Sequence, residues 1–239
     1  MFNPERTASH LVGWLRERAR EAGAEGSVLG ISGGVDSAVV AALCRRAFGR
    51  RALNLILPCE SDPQDREDAE ILSRMLDLNT RVVDLERPFL ALLDLVEEDV
   101  SGSDLARANL KARLRMTCVY LHANALNRLV VGTGNKVELS LGYFTKYGDG
   151  ASDVLPLGNL VKGQVYDLAR CLGVPERIIE RPPSAGLWKG QTDEQEMGAT
   201  YQDLDAFFRG QAVDPAVQDR IQAMAAASRH KRQMPPVAF

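Results

Sequence analysis

The sequence predicts an α/β protein: a doubly wound, Rossmann-like parallel sheet with helices on both faces. Two observations predict it. Short apolar runs of strand length alternate with stretches of helical periodicity, and strands fed one after another through helices pair in parallel by right-handed crossovers. Between the first such run and the helix after it stands "SGGVDS", residues 32–37, a glycine turn at the sheet edge where such folds bind ligands.

The elements follow in order. Residues 3–22 read as an amphipathic helix and residues 28–31 as a short apolar strand. Residues 37–48 form a helix that is apolar nearly all round, which marks it as buried. Residues 53–57 are a second strand, and residues 65–76 a helix with Ala69, Leu72 and Leu76 on one face. Residues 81–85 are a third strand, 104–126 a long helix and 128–131 a fourth strand. Beyond Leu157 the pattern is mainly helical, broken at Pro182-Pro183. No internal repeat or low-complexity linker divides the chain. Residues 1–239 therefore read as a single domain with a mainly helical C-terminal part from about residue 158.

Composition narrows the function classes. Hydrophobic residues are 45% and charged residues 26% of the chain, the balance of a soluble globular protein. The net charge of -3 gives no global basic field, so nucleic acid is not an expected partner. No apolar stretch approaches membrane-spanning length, and the charged N-terminal segment lacks a signal-peptide core. The four cysteines, Cys44, Cys59, Cys118 and Cys171, form no C-x-x-C pair, and none of the three histidines lies in an H-E-x-x-H pattern. Zinc and disulfide chemistry are not expected, and a reducing, cytoplasmic location is.

The glycine loop has a physical reading of its own. It follows a strand and opens a helix, whose N-terminus offers N–H groups and the positive end of the helix dipole. Gly33 and Gly34 let a ligand approach the main chain, and Ser32 and Ser37 add hydroxyls. The loop suits a phosphate or pyrophosphate. Asp36 repels phosphate and makes sense with a divalent cation between the two. It is neither G-x-x-x-x-G-K-[ST] nor G-x-G-x-x-G. The residues alone leave open a plain strand-to-helix turn.

"SGGVDS" resembles the pyrophosphate loop of the N-type ATP pyrophosphatases, which cleave ATP between the α and β phosphates and adenylate an acceptor. Four further segments resemble one branch of them in order and spacing: "NLKARLRM" (109–116), "VVGTGNKVELSLGYFTKYGDGASDVLPLGNLVK" (130–162), "PPSAGLWKGQTDEQEMGATYQDLD" (182–205) and "RHKRQMPP" (229–236). Together they are similar to the synthetase domain of the NAD synthetase family, of the ammonia-dependent kind. The resemblance implies an adenine nucleotide α-hydrolase-like fold. It also implies a ligase that amidates nicotinic acid adenine dinucleotide (deamido-NAD) with ammonia through an acyl adenylate, releasing AMP and pyrophosphate. ATP and Mg²⁺ are the implied co-substrate and cofactor.

On that resemblance ATP is held by Gly30, Ile31, Ser32, Gly33, Gly34, Val35, Asp36 and Ser37, by Thr133 after the fourth strand, and by Lys162 and Ser184. Asp36 and Glu138 hold the metal. Arg113, Lys146, Asp153, His230 and Lys231 bind deamido-NAD, and Asp149 lies near the ammonia site. Taken singly, Glu138 and the lysines also read as ordinary solvated charges, the aspartates as turn residues, and 229–232 as a basic helix end before proline. Arg107, Lys111 and Arg115 recur every four residues and read as a solvated basic stripe, with Arg113 off it. Ile56 stands where several relatives carry an arginine that touches ATP; the Ser61-Asp62-Pro63 element is closer to other ammonia-type relatives.

Two rival readings remain: another adenylating ligase of the superfamily, and a nucleotide-binding sensor without catalysis. The resemblance implies a homodimer formed with the long helix, whose mostly apolar face carries Leu110, Leu114 and Leu121; that face alone also reads as packing within the subunit. No cysteine lies in a recognisable glutaminase setting and no glutaminase domain is evident, so free ammonia is the expected nitrogen donor.

Overall fold

The computed structural model describes residues 2–97, 100, 102–183 and 193–238. Helix α1 (Pro4–Glu21) starts where the Asn3 side chain accepts the Arg6 N–H and Pro4 takes the first turn. Strand β1 (Ser27–Gly30) leads into α2 (Val35–Phe48), and β2 (Ala52–Ile56) into α3 (Pro63–Met75). The Ser61-Asp62-Pro63 element is a helix start: Asp62 accepts the Gln64 N–H at 2.9 Å and Pro63 opens the helix.

The edge strand β3 is Asn79–Val82, two to three residues earlier than the sequence predicts. Its pairing with Leu53–Ile56 decides this, because the apolar Val82-Val83 step that suggests a later strand already lies at the end of β2. Helix α4 (Glu86–Leu93) follows and is not foreseen in the sequence reading. Helix α5 (Asp104–Ala125) then leads to β4 (Leu129–Val130), and Val131 forms one further bridge to Val154. A short α6 (Lys136–Leu141), also unforeseen, precedes α7 (Lys162–Leu172), α8 (Glu176–Ile179), α9 (Asp193–Met197), α10 (Tyr201–Phe208) and α11 (Pro215–Ala227).

All strand pairs are parallel, in the order β3-β2-β1-β4. The order reverses between β1 and β4, and a doubly wound sheet opens its ligand crevice at that reversal. Side chains alternate across the sheet as pleating requires. Leu29, Ala52, Ile56 and Val131 enter one core with α1, α2, α3 and α7. Val28, Leu53, Leu55, Leu57 and Val130 enter the other with Phe89 of α4 and Val119 and Ala123 of α5. Helices therefore cover both faces, and α2 is buried from Val35 to Cys44 except for Asp36. A smaller third cluster joins Val137 and Leu141 of α6 to Met197, Tyr201, Leu204 and Ile221 of the C-terminal helices, which carries those helices to the edge of the crevice.

Candidate active site

The loop after β1 is shaped by one glycine above all. Gly33 has φ +83°, and a Cβ there would lie 2.5 Å from the Asp65 carbonyl oxygen in the first turn of α3. Only a residue without a side chain fits both the dihedral and the contact. Gly34 begins α2 in extended conformation with no side-chain cap, so the helix N-terminus keeps its capacity for an anion. The two serines close the turn on themselves. Ser37 Oγ donates to the Gly34 carbonyl at 2.9 Å and accepts the Ser32 N–H at 3.2 Å, and the Ser32 hydroxyl accepts the Gly34 N–H at 3.3 Å.

Around this loop opens a cavity of about 550 Å³. On its β4 side is a wall of buried charge. Asn135 and Glu138 form a reciprocal cap on α6: Asn135 Oδ1 accepts the Val137 and Glu138 N–H groups, and Glu138 Oε2 accepts the Asn135 N–H. The same Asn135 donates through Nδ2 to Asp36 Oδ1 at 3.0 Å, tying α6 to α2. Lys162 Nζ is 2.5 Å from Asp36 Oδ2, with the lysine side chain 2% and the aspartate 16% exposed. Lys162 is placed by Asp205 of α10, whose two oxygens accept the Lys162 and Gly163 N–H groups at 2.9 and 2.6 Å. Lys162 Nζ also lies 4.9 Å from the centre of the Tyr201 ring. Tyr201 and Tyr143 both donate to Asp193, and Tyr143 reaches Glu196 as well.

These charges perturb one another. Burial pushes the Glu138 carboxyl up to about 8, with Asp36 adding to the shift and Lys162 opposing it. Burial disfavours the Lys162 charge, but Asp36 and Glu138 overcome it and hold its pKa above the ordinary lysine value. Asp193 is raised, chiefly by burial. Three carboxylates, Asp36, Glu138 and Asp193, thus face one ammonium.

That excess of hard oxygen donors fits a divalent cation. Among the described residues no group of three or more His, Cys, Asp or Glu side chains forms a complete metal cage.

The opposite wall comes from α5 and from the loop over residues 142–151. Asp149 Oδ1 accepts the Thr145 N–H at 2.9 Å. Its carboxylate is open to the cavity while protein surrounds it, and the resulting desolvation raises its pKa. Lys231 Nζ donates to the Gly142 and Phe144 carbonyls at 2.8 and 2.7 Å, pinning that loop.

The fold brings together Gly30, Ile31, Ser32, Gly34, Val35, Asp36, Ser37, Thr133, Glu138, Asp149, Lys162 and Lys231, all lining the cavity. Ser184 lies outside the described residues. Arg113, Lys146, Asp153 and His230 do not line the cavity. Arg113, Lys146 and His230 form a chain beside it: Arg113 Nη2 donates to the Lys146 carbonyl at 3.4 Å, and Lys146 Nζ to the His230 carbonyl at 2.8 Å. Asp153 accepts the Val130 N–H at 2.7 Å and the Tyr120 hydroxyl at 3.1 Å, extending the edge of β4.

One expectation is overturned. The Arg107, Lys111, Arg115 series is not solvated. Arg107 and Lys111 pair with Glu60 at 3.0 and 3.1 Å and lie over the Phe89 ring. Arg115 reaches the segment after β2. A stripe at spacing four looks the same in sequence whether it faces water or a neighbouring loop. Sequence reasoning also missed Asp193, Tyr143 and Arg181, which line the cavity, and the buried Asn135 that ties Asp36 to α6. The N-x-x-E spacing of residues 135–138 is a readable helix-cap signal; the other three have none.

A glycine loop at the switch point of a parallel sheet, with a buried lysine and carboxylates on one flank, is the setting of a ligase domain of the adenine nucleotide α-hydrolase-like type. The chain belongs to the NAD synthase family, whose model matches residues 7–235. It is 49% identical over 237 residues to an NH(3)-dependent NAD(+) synthetase of Carboxydothermus hydrogenoformans, covering 98% of each chain. It is 47% identical over 248 residues to the protein of that name from Archaeoglobus fulgidus, covering 99% of this chain and 98% of that one.

Among solved structures it superposes on an NMN synthetase from Francisella tularensis with TM-score 0.94 at 41% identity, covering 100% of this chain and 99% of that one. It superposes on an NH3-dependent NAD synthetase from Campylobacter jejuni with TM-score 0.82 at 29% identity, covering all of both chains.

Proposed function

We propose that this protein amidates deamido-NAD with ammonia, at the expense of ATP, to give NAD, AMP and pyrophosphate. The observation that carries the reading is the buried Asp36–Lys162–Glu138 wall against the glycine loop, in a chain of this family. The substrate carboxylate attacks the α-phosphorus of ATP and pyrophosphate leaves, giving an acyl adenylate. Ammonia then attacks the activated carbonyl and AMP leaves. The loop N–H groups and Lys162 bind the departing pyrophosphate, supplying positive charge where negative charge develops. Asp36 and Glu138 would hold Mg²⁺, which when bound neutralises phosphate charge. Asp149, at the opposite wall, suits a role beside the incoming ammonia. Most of the rate enhancement then comes from positioning, since the adenylate is itself reactive.

The test is incubation with ATP, Mg²⁺, deamido-NAD and ammonium, with mass detection of NAD and AMP. NAD should form with ammonium and hardly at all with ammonia-free glutamine. Because only NH₃ carries the attacking lone pair, the rate at fixed total ammonium should rise with pH through the alkaline range. Efficient use of pure glutamine would sink the ammonia reading.

A second reading has one observation in its favour, the close superposition on an NMN synthetase. Nicotinic acid mononucleotide presents the same carboxylate, so both acids belong in the assay. A higher kcat/KM for the mononucleotide would replace deamido-NAD as the substrate.

A homodimer is also proposed. Leu110 and Leu114 pack inside the subunit, against the core beneath α4, so they do not carry it. Leu121 and Leu105 remain 67% and 65% exposed on α5, and Leu90, Leu92, Leu95 and Val96 are exposed at the end of α4. Apolar surface of this extent on neighbouring elements favours association. Light scattering should give twice the 26.2 kDa chain mass, and Leu121→Glu should shift it toward monomer. A fully active monomer at micromolar concentration would exclude the dimer. No helix among the described residues is long and apolar enough to cross a membrane, and Cys44, Cys59, Cys118 and Cys171 are free thiols; both fit a cytoplasmic enzyme.

A further inference from the structure

Among the described residues five cationic side chains line the cavity: Arg66, Arg115, Lys162, Arg181 and Lys231. Arg66 pairs with Glu70, Lys162 with Asp36, and Arg181 with Asp65 and Asp68. Lys231 reaches two backbone carbonyls of the 142–151 loop and pairs with no carboxylate among the described residues. Among these arginines Arg115 differs. Its Nε donates to the Leu57 carbonyl at 3.1 Å and its Nη2 to Ser61 Oγ at 2.9 Å. Both acceptors are neutral, and among the described residues no carboxylate lies within ion-pair distance of it.

Burial depresses its pKa, yet a guanidinium stays charged in any protein setting. A cation withdrawn from water without a counter-ion is costly, and a bound anion removes that cost. The two contacts use the side edge of the guanidinium, Nε and Nη2. The end formed by Nη1 and the second Nη2 hydrogen remains for two parallel bonds to an oxyanion.

We propose that Arg115 is a binding contact for the α-phosphate of ATP, the phosphate that stays with the AMP half when pyrophosphate departs. This rests on the ligase reading above. The topology selects this phosphate over the departing pair. The glycine loop follows β1, in the middle of the crevice, and the Asp36–Lys162–Glu138 wall lies on its β4 side. Arg115 is fixed to Leu57 and Ser61, which follow β2 on the other side of β1. Pyrophosphate held at the loop and the lysine wall therefore leaves the AMP half extending toward β2.

Asp65 and Asp149 act on Arg115 only from beyond ion-pair distance.

The test is equilibrium binding to the full chain of AMP, of adenosine as its uncharged counterpart, and of Mg²⁺-pyrophosphate. Arg115→Met should weaken AMP about 10- to 100-fold, the range for a lost hydrogen bond to a charged group. Adenosine and pyrophosphate should stay within about twofold of the unmodified protein by the same measure. Arg115→Lys should fall between. Arg115→Gln keeps a donor for the segment after β2 and serves if the methionine variant does not fold. Unchanged AMP affinity, an equal loss for adenosine, or a loss confined to pyrophosphate would each overturn the assignment. Failure of the unmodified chain to bind ATP or AMP at all would instead overturn the ligase reading on which it rests.

Discussion

Asp36→Asn is expected to lower kcat/KM about a thousandfold, the upper range for removal of one preorganised electrostatic group from a closed site. Asp36 makes contact with both Lys162 Nζ and Asn135 Nδ2, so its charge sets the position of the lysine as well as the proposed metal. The fold should survive. With Asp36 neutral, the Lys162 ammonium still faces Glu138, whose carboxyl is held up in part by repulsion from Asp36. The decisive measurement is a Mg²⁺ titration. Part of the lost activity should return at high Mg²⁺ if Asp36 is a metal ligand. Near-normal turnover of the folded variant at limiting Mg²⁺ would remove the metal role.

Gly33→Ala is expected to damage both stability and nucleotide binding. An alanine at φ +83° is strained by about 1–2 kcal/mol. Its Cβ would also press on the Asp65 carbonyl, which is backbone and cannot rotate away. A loss of about 2 kcal/mol or more follows, or a fall in Tm of roughly 4–8 °C for a chain of this size. The KM for ATP should rise, because relief of the clash moves the loop. Gly34→Ala is the control: its Cβ would meet only the Ser32 hydroxyl, at 3.4 Å, and its backbone is ordinary, so the Tm should hold. Equal Tm values for the two variants would show that the loop tolerates a side chain at residue 33.

Much of this architecture is legible in the chain. The strands at β1, β2 and β4 and the helices α1, α2, α3 and α5 lie within about two residues of where periodicity and caps put them, because pleat and helix repeats are local properties. Two short elements escaped. Helix α4 holds only eight residues and α6 only six, too few for a periodic signal. β3 slipped because an edge strand has polar residues, here Asn79, Thr80 and Arg81, and is defined by its partner.

The site divides along the same physical line. The sequence by itself determined the fold class, the glycine loop and the identity of the charged side chains, because each is written in residues that are neighbours along the chain or in motifs of fixed spacing. Which charges meet is set by packing between distant segments. Asp36 and Lys162 are 126 residues apart, and Asp205, which seats Lys162, is 43 further on. Nothing local distinguishes that lysine from a solvated one. Burial makes the difference: packing of α2, α6, α7 and α10 around one crevice removes water from these groups, and in that setting an ammonium must find a carboxylate. The same packing turned the basic stripe of α5 inward and left Arg115 on the cavity wall without a carboxylate among the described residues, an outcome that depends on what lies opposite a helix face and not on the face itself.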